Sequence, residues 1–185
     1  GAVDNPLDTA VSSLYAYSNG ALGAGGIYVS NTLASGALSI VRAYGGVNEV
    51  AIVNNTDILL AQSCSEGCSP GVESVGGSIL IQSTGGSIAN DPAALDPFSG
   101  QPLPAWVRAN GGNEFSARPN GNAGAVTLLA AGNIDLPRGL VEANGATLGP
   151  NLNAGGAGGT ITLTAGGIVN IGTLSATGGG ADGQT

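Results

Sequence analysis

Residues 158–179 read GGTITLTAGGIVNIGTLSATGG. Over TITLT the side chains alternate, so Ile161 and Leu163 fall on one face of an extended strand and Thr160, Thr162 and Thr164 on the other. A small–Gly turn follows, then a second apolar run, IVNI at 168–171, and a third, TLSAT at 173–177. Glycine accepts the positive φ of a sharp corner, so three short strands can wrap an axis in roughly 24 residues.

The pattern recurs. GGSILIQSTG from Gly76 and AGAVTLLAAG from Ala123 align with it without gaps, placing Ile79 with Ile81, and Val126 with Leu128, in the slots of Ile161 and Leu163. NIDL at 133–136 and LVEA at 140–143 supply the second and third strands after Ala123, and SGALSIVRAYGG from Ser35 reads as a fainter copy. Internal repetition with one inward column of aliphatic residues predicts an all-β chain, a right-handed parallel β-helix (β-solenoid) forming one domain over 1–185. Unequal spacing between copies predicts loop insertions at 62–75, 90–122 and 144–159. Residues 90–122 hold five of the nine prolines, which cannot donate to a strand ladder. Residues 1–26 are weakly repetitive and read as an irregular segment that caps the chain or bridges to another copy.

Composition agrees. Thirty-four glycines beside two Phe, one Trp and four Tyr imply a core of small aliphatic side chains, and 42% hydrophobic against 9% charged residues is the reverse of a disordered composition. A net charge of −8, with the basic residues Arg42, Arg108, Arg118 and Arg138 scattered, disfavours nucleic acid and anionic membranes. No run of eighteen apolar residues is present to span a bilayer. The start GAVDNPLDTA lacks Met and reads as a processed or excised N-terminus compatible with export.

The run GGTITLTAGGIVNIGTLSATGGGADGQ resembles the repeats of filamentous haemagglutinin-type surface proteins, large secreted β-helical adhesins of Gram-negative bacteria and cyanobacteria. The resemblance is good over 158–185, fair over 76–90 and 123–143, and weak before Gly45. It implies a β-helical fold and a location outside the cell or on the surface of a bacterium.

Candidate sites are few. Cys64 and Cys68, in CSEGC, have the spacing of a local disulfide in an extracytoplasmic protein, the alternative being two free thiols in a cytosolic chain. A metal site would need further ligands from a chain without His, and no cofactor is expected. GGGADG at 178–183 fits a dinucleotide-type glycine pattern, but without a βαβ unit it reads as a corner. Asp91 and Asp96 each precede proline and read as turn residues, while NNT at 54–56 is a chance glycosylation sequon. Many parallel β-helices act on polysaccharides, and Asp135, Glu142 and Arg138 are the best acid–base candidates. With neither Lys nor His available, an enzyme is not expected. Phe98, Trp106, Arg108 and Phe115 form a candidate partner-binding loop, and Trp106 is expected to fold back on the sheets with the two Phe beside it.

Finally, GGADGQT repeats the GGAGGT that introduced TITLT, so the sequence breaks off where another strand would begin. Unpaired strand ends are either capped or paired. Head-to-tail stacking is therefore expected, with Ile161, Leu163, Val169, Ile171 and Leu174 at one junction face and Leu7, Val11, Leu14, Tyr15, Tyr17 and Leu22 at the other; the competing explanation is a longer chain that was cut. Three roles follow: a structural filament subunit that self-associates head to tail, an adhesin passenger fragment binding a glycan or host surface through its loops, and, disfavoured, a polysaccharide-active enzyme.

Overall fold

The computed structural model describes residues 6–18, 25–62, 69–112, 121–147 and 155–180. Cys64, Cys68, Leu22, Phe115 and Arg118, and with them the expected disulfide, lie outside the described residues. In chain order the strands are β1 (Leu7–Thr9), β2 (Ser13–Tyr17), β3 (Ile27–Asn31), β4 (Ala37–Tyr44), β5 (Val50–Asn54), β6 (Asp57–Leu60), β7 (Val72–Glu73), β8 (Ile79–Ser83), β9 (Ile88–Asn90), β10 (Trp106–Arg108), β11 (Val126–Ala130), β12 (Ile134–Glu142), β13 (Ile161–Ala165) and β14 (Val169–Ser175). No helix occurs among the described residues.

Two sheets, parallel between their strands, hold all the described strands. The first runs β1-β3-β5-β8-β11-β13, each strand beside the next in sequence order. Its register is unbroken: Ile27, Val50, Ile79, Val126 and Ile161 form one column, and Leu7, Val29, Ile52, Ile81, Leu128 and Leu163 another. The predicted equivalence of the copies from Gly76, Ala123 and Gly158 is thus a residue-for-residue pairing. The second sheet has eight strands, three of them long. The first half of β4 pairs with β6 and the second with β7. Likewise β12 pairs with β9 before a register shift between Leu136 and Leu140 and with β10 after it. The second and third short strands read after Ala123 are the two halves of β12.

Inward columns of both sheets meet in one core, where Leu38, Ile52, Ile58, Ile81, Ile88, Leu128, Ile134 and Leu136 are fully buried. Among the described residues no large aromatic ring joins it, which suits two sheets held close by thin aliphatic side chains. Polar residues enter at one edge. Asn31, Asn54 and Ser83 continue the inward face of the first sheet in register, and Asn31 Nδ2 donates to Asn54 Oδ1 at 2.8 Å. Asn54 Nδ2 donates to the Thr56 and Asp57 carbonyls, each at 3.0 Å, and Asn31 Oδ1 accepts from Thr9 Oγ1 at 2.7 Å. These amides bond the backbone where it turns between sheets, so burial leaves them satisfied.

Several expectations are corrected. The copy from Ser35 is β4, in the second sheet; the first-sheet strands at that end are β3 and β5. The sequence confuses the two sheets because both cover the same core and so share the same alternation. Residues 62–75 and 90–122 do not wholly leave the sheets, for β7 and β10 lie within them and pair with each other. Residues 1–26 are not simply irregular: β1 pairs with β3 and β2 with β4 of the same chain.

The described parts of 144–159 are packed backbone, not free loop. Gly145 N donates to Thr177 O at 2.8 Å, Ala146 N to Gly121 O at 2.8 Å, Gly156 N to Ala146 O at 3.0 Å and Gly179 N to Gly156 O at 2.8 Å. A Cβ on Gly156 would run into the Gly121 carbonyl, and one on Gly145 into that of Gly156. Glycine is required here because backbone lies directly on backbone. Gly178–Gly180, the described part of the expected corner, belong to this layer.

Candidate functional site

Two features stand out, the unpaired outer strands and one outward face of the second sheet. Among the described residues β1 pairs only with β3, β13 only with β11, β2 only with β4, and β14 only with β12. At the β13–β14 edge the buried columns run on into solvent. Val169 lies opposite Ile134 and Leu174 opposite Val141, yet Val169 is 46% and Leu174 50% exposed while Ile134 and Val141 are buried. Ile161, Leu163 and Ile171 are half-buried. At the other edge Leu7, Val11, Tyr15 and Tyr17 are exposed. Leu14 is the exception: it lies opposite Ile40 and belongs to the core of its own chain. Val11 is tied inward, its N–H donating to Asn31 Oδ1 at 2.9 Å.

On the outward face, direct partners across six strands are Tyr17, Tyr44, Glu73, Arg108, Glu142 and Ser175. Tyr17 and Tyr44 stack with centroids 4.9 Å apart, and the Arg42 guanidinium sits 5.7 Å from the Tyr44 ring centre. Arg108 pairs with Glu73, its Nε 3.1 Å from Oε1, and covers Trp106 at 5.1 Å. Trp106 Nε1 donates to Glu142 Oε2 at 2.7 Å. Burial raises the Tyr44 hydroxyl above its ordinary 10.0, with Glu73 and then Tyr17 adding to the shift and Arg42 and Arg108 opposing it. Arg42 has no carboxylate within salt-bridge distance among the described residues.

The expected partner-binding loop is therefore taken apart. Trp106 and Arg108 are strand residues that lie on a sheet, whereas Phe98 is 98% exposed and packs on none of the described residues. It sits in a turn held by Asp96, whose Oδ1 accepts from Phe98 N at 2.7 Å and Ser99 N at 3.0 Å. Those Ser99 and Phe98 bonds hold the Asp96 carboxyl below its usual range. Asp91 acts alike, accepting from Ala93 N at 2.9 Å. The segment beyond Asp91 encloses with β4 a groove of about 630 Å³, lined by Tyr15, Val41, Asp91, Leu95 and Leu103 among others.

The acid–base candidates are not assembled into a common contact. Asp135 accepts from Asn170 Nδ2 at 2.8 Å, Glu142 holds Trp106, and Arg138 Nη1 donates to Pro102 O at 3.1 Å. Asn54 of the sequon is fully buried, which closes it to glycan attachment in the folded chain. No group of three or more potential metal-ligating side chains occurs among the described residues. Glu73 was missed as a site residue because a strand of two residues carries no readable period. Compared with known proteins, the chain matches no family model, no curated protein and no solved structure.

Proposed function

We propose that the two sheets are faces of one right-handed parallel β-solenoid, and that the protein is a structural subunit of an extracellular bacterial filament that stacks head to tail. The observation carrying this reading is the run of aliphatic columns to a half-exposed last layer at β13 and β14. Natural solenoids cover such a slice or pair it. The opposite edge offers a match: continuing each column by one layer sets Leu163 of one copy against Leu7 of the next, Ile171 against Leu14, and Leu174 against Ala16. All strands run parallel, so the contact is a translation along the stack, heterologous and non-closing, and it generates a fibre. Likeness of residues 158–185 to haemagglutinin-type repeats supports the surface location, and a Cys64–Cys68 disulfide belongs to the same reading.

Sedimentation of the 185-residue chain over a range of concentrations, with electron microscopy of the concentrated sample, tests the proposal. Concentration-dependent growth into unbranched filaments is expected. A chain that stays monomeric at high concentration and on prolonged incubation overturns it.

A further inference from the structure

The outward face of the second sheet is built in a way that core packing does not demand. Parallel strands set equivalent side chains about 4.8 Å apart, close to the length of one pyranose unit in an extended chain. Along that spacing the face presents Tyr17, Tyr44, Glu73, Arg108 and Glu142 in direct succession, flanked by Tyr15 opposite Arg42. Tyr15 and Tyr17 remain 66% and 57% exposed, a large aromatic area to leave in water. Fixed pairs hold the rest in place: Glu73 with Arg108, Glu142 with the Trp106 indole, and the two stacked tyrosines.

We propose that this face is a binding strip for an extended, uncharged glycan lying across the strands. Tyr15 supplies a free ring for the apolar C–H side of a sugar. The Arg42 guanidinium and the tyrosine hydroxyls supply donors for its hydroxyl groups, and Arg108, held in place by the buried Glu73, supplies a further donor. Pre-organisation is the physical advantage: these side chains are already ordered by one another, so little rotamer freedom is lost on binding. Charge selects the class of ligand. Two arginines here stand against two glutamates in a chain of net charge −8, so a polyanionic glycan is repelled at long range and finds no excess of cations at contact. The strip borders the groove beside Leu95, sharing Tyr15 with it but running away from it through Tyr17, Tyr44 and Arg108, and does not depend on polymerisation.

The chain has a single tryptophan, and it lies in the strip, so binding reports itself. At a concentration where sedimentation finds monomer, cellohexaose, xylohexaose and chitohexaose are titrated while Trp106 emission and calorimetric heat are followed, with a heparin hexasaccharide alongside. Saturable binding of at least one neutral hexamer with a change in Trp106 emission is expected. Tyr17→Ala and Arg42→Ala should each weaken it about tenfold, as truncation of an interface anchor does, with far-ultraviolet circular dichroism unchanged. Leu95→Asp, in the neighbouring groove, should leave it intact. The proposal falls if no neutral hexamer binds, if only the heparin fragment binds, or if Leu95→Asp abolishes binding that Tyr17→Ala and Arg42→Ala leave untouched.

Discussion

Asn54 shows at the residue scale why a polar side chain sits on an inward face whose neighbouring columns hold Ile, Val and Leu. It is fully buried, and its amide bonds Thr56 and Asp57 on one side and Asn31 on the other. Asn54→Ala takes the Asn54 donor from the Asp57 carbonyl and the acceptor from an Asn31 amide N–H, while the Thr56 carbonyl keeps its bond from Ser83 Oγ at 2.6 Å, and about 3 kcal/mol of stability should be lost, read as a lower urea midpoint with the denaturant slope unchanged. Tyr44 makes a second residue-level prediction. Its folded-state pKa lies above the ordinary 10.0, so above that pH the native chain binds more protons than the unfolded one. The stabilisation is complete below pH 10.0 and is lost as pH rises through the raised value. Alkaline unfolding followed by circular dichroism should therefore start earlier in the parent than in Tyr44→Phe, relative to each protein's stability at pH 8. Neither role was legible in the sequence. NNT looks like a sequon until Asn54 is known to be buried, and Tyr44 owes its shift first to burial and then to Glu73, a partner in another strand.

Among the elements, what could be read was whatever repeats. Val126 with Leu128, and Ile161 with Leu163, announced both their strands and their register, because period-two alternation beside a glycine turn leaves one way to bury the apolar face. The strand at Ser35 is legible as a strand, yet it reads as a copy of first-sheet strands and lies in the second sheet, since alternation reports which face is inward and not which sheet faces it. β7 and β10, of two and three residues, carry too little period to read and take their place from neighbours on both sides. The glycine-rich segments hid most, because loops and tightly packed backbone share one composition. A matched pair of substitutions separates the two readings. At Gly124 a Cβ would run into Gly77 backbone, whereas at Gly178 the nearest atom is the Gly156 carbonyl oxygen at 3.6 Å. Gly124→Ala should cost about 2 kcal/mol or more as overpacking, while Gly178→Ala should be close to neutral in thermal melts. Equal tolerance at both sites would mean the glycines serve flexibility alone.

For the whole molecule the question is what meets β13 and β14, and the ladder itself supplies a discriminating substitution. Val126 N donates to Thr160 O at 2.8 Å. In a parallel ladder alternate residues of a strand face opposite neighbours. The N–H groups of Thr162 and Thr164 therefore point back to β11, while those of Ile161 and Leu163 point to the open edge. Proline is tolerated in a strand where its missing N–H would face outward and is disruptive where it removes an internal bond. Leu163→Pro should consequently keep the β-type circular dichroism and a cooperative melt, yet fail to extend filaments, because the next copy's β1 loses a donor and a well-shaped apolar partner in the Leu7 column. Thr162→Pro should lower the melting temperature, since it breaks a bond within the chain. Sedimentation and thermal melts on the two variants yield opposite patterns if head-to-tail pairing at this edge drives assembly. Filaments that grow undiminished from Leu163→Pro would move the junction away from β13 and leave Leu7 without its proposed partner.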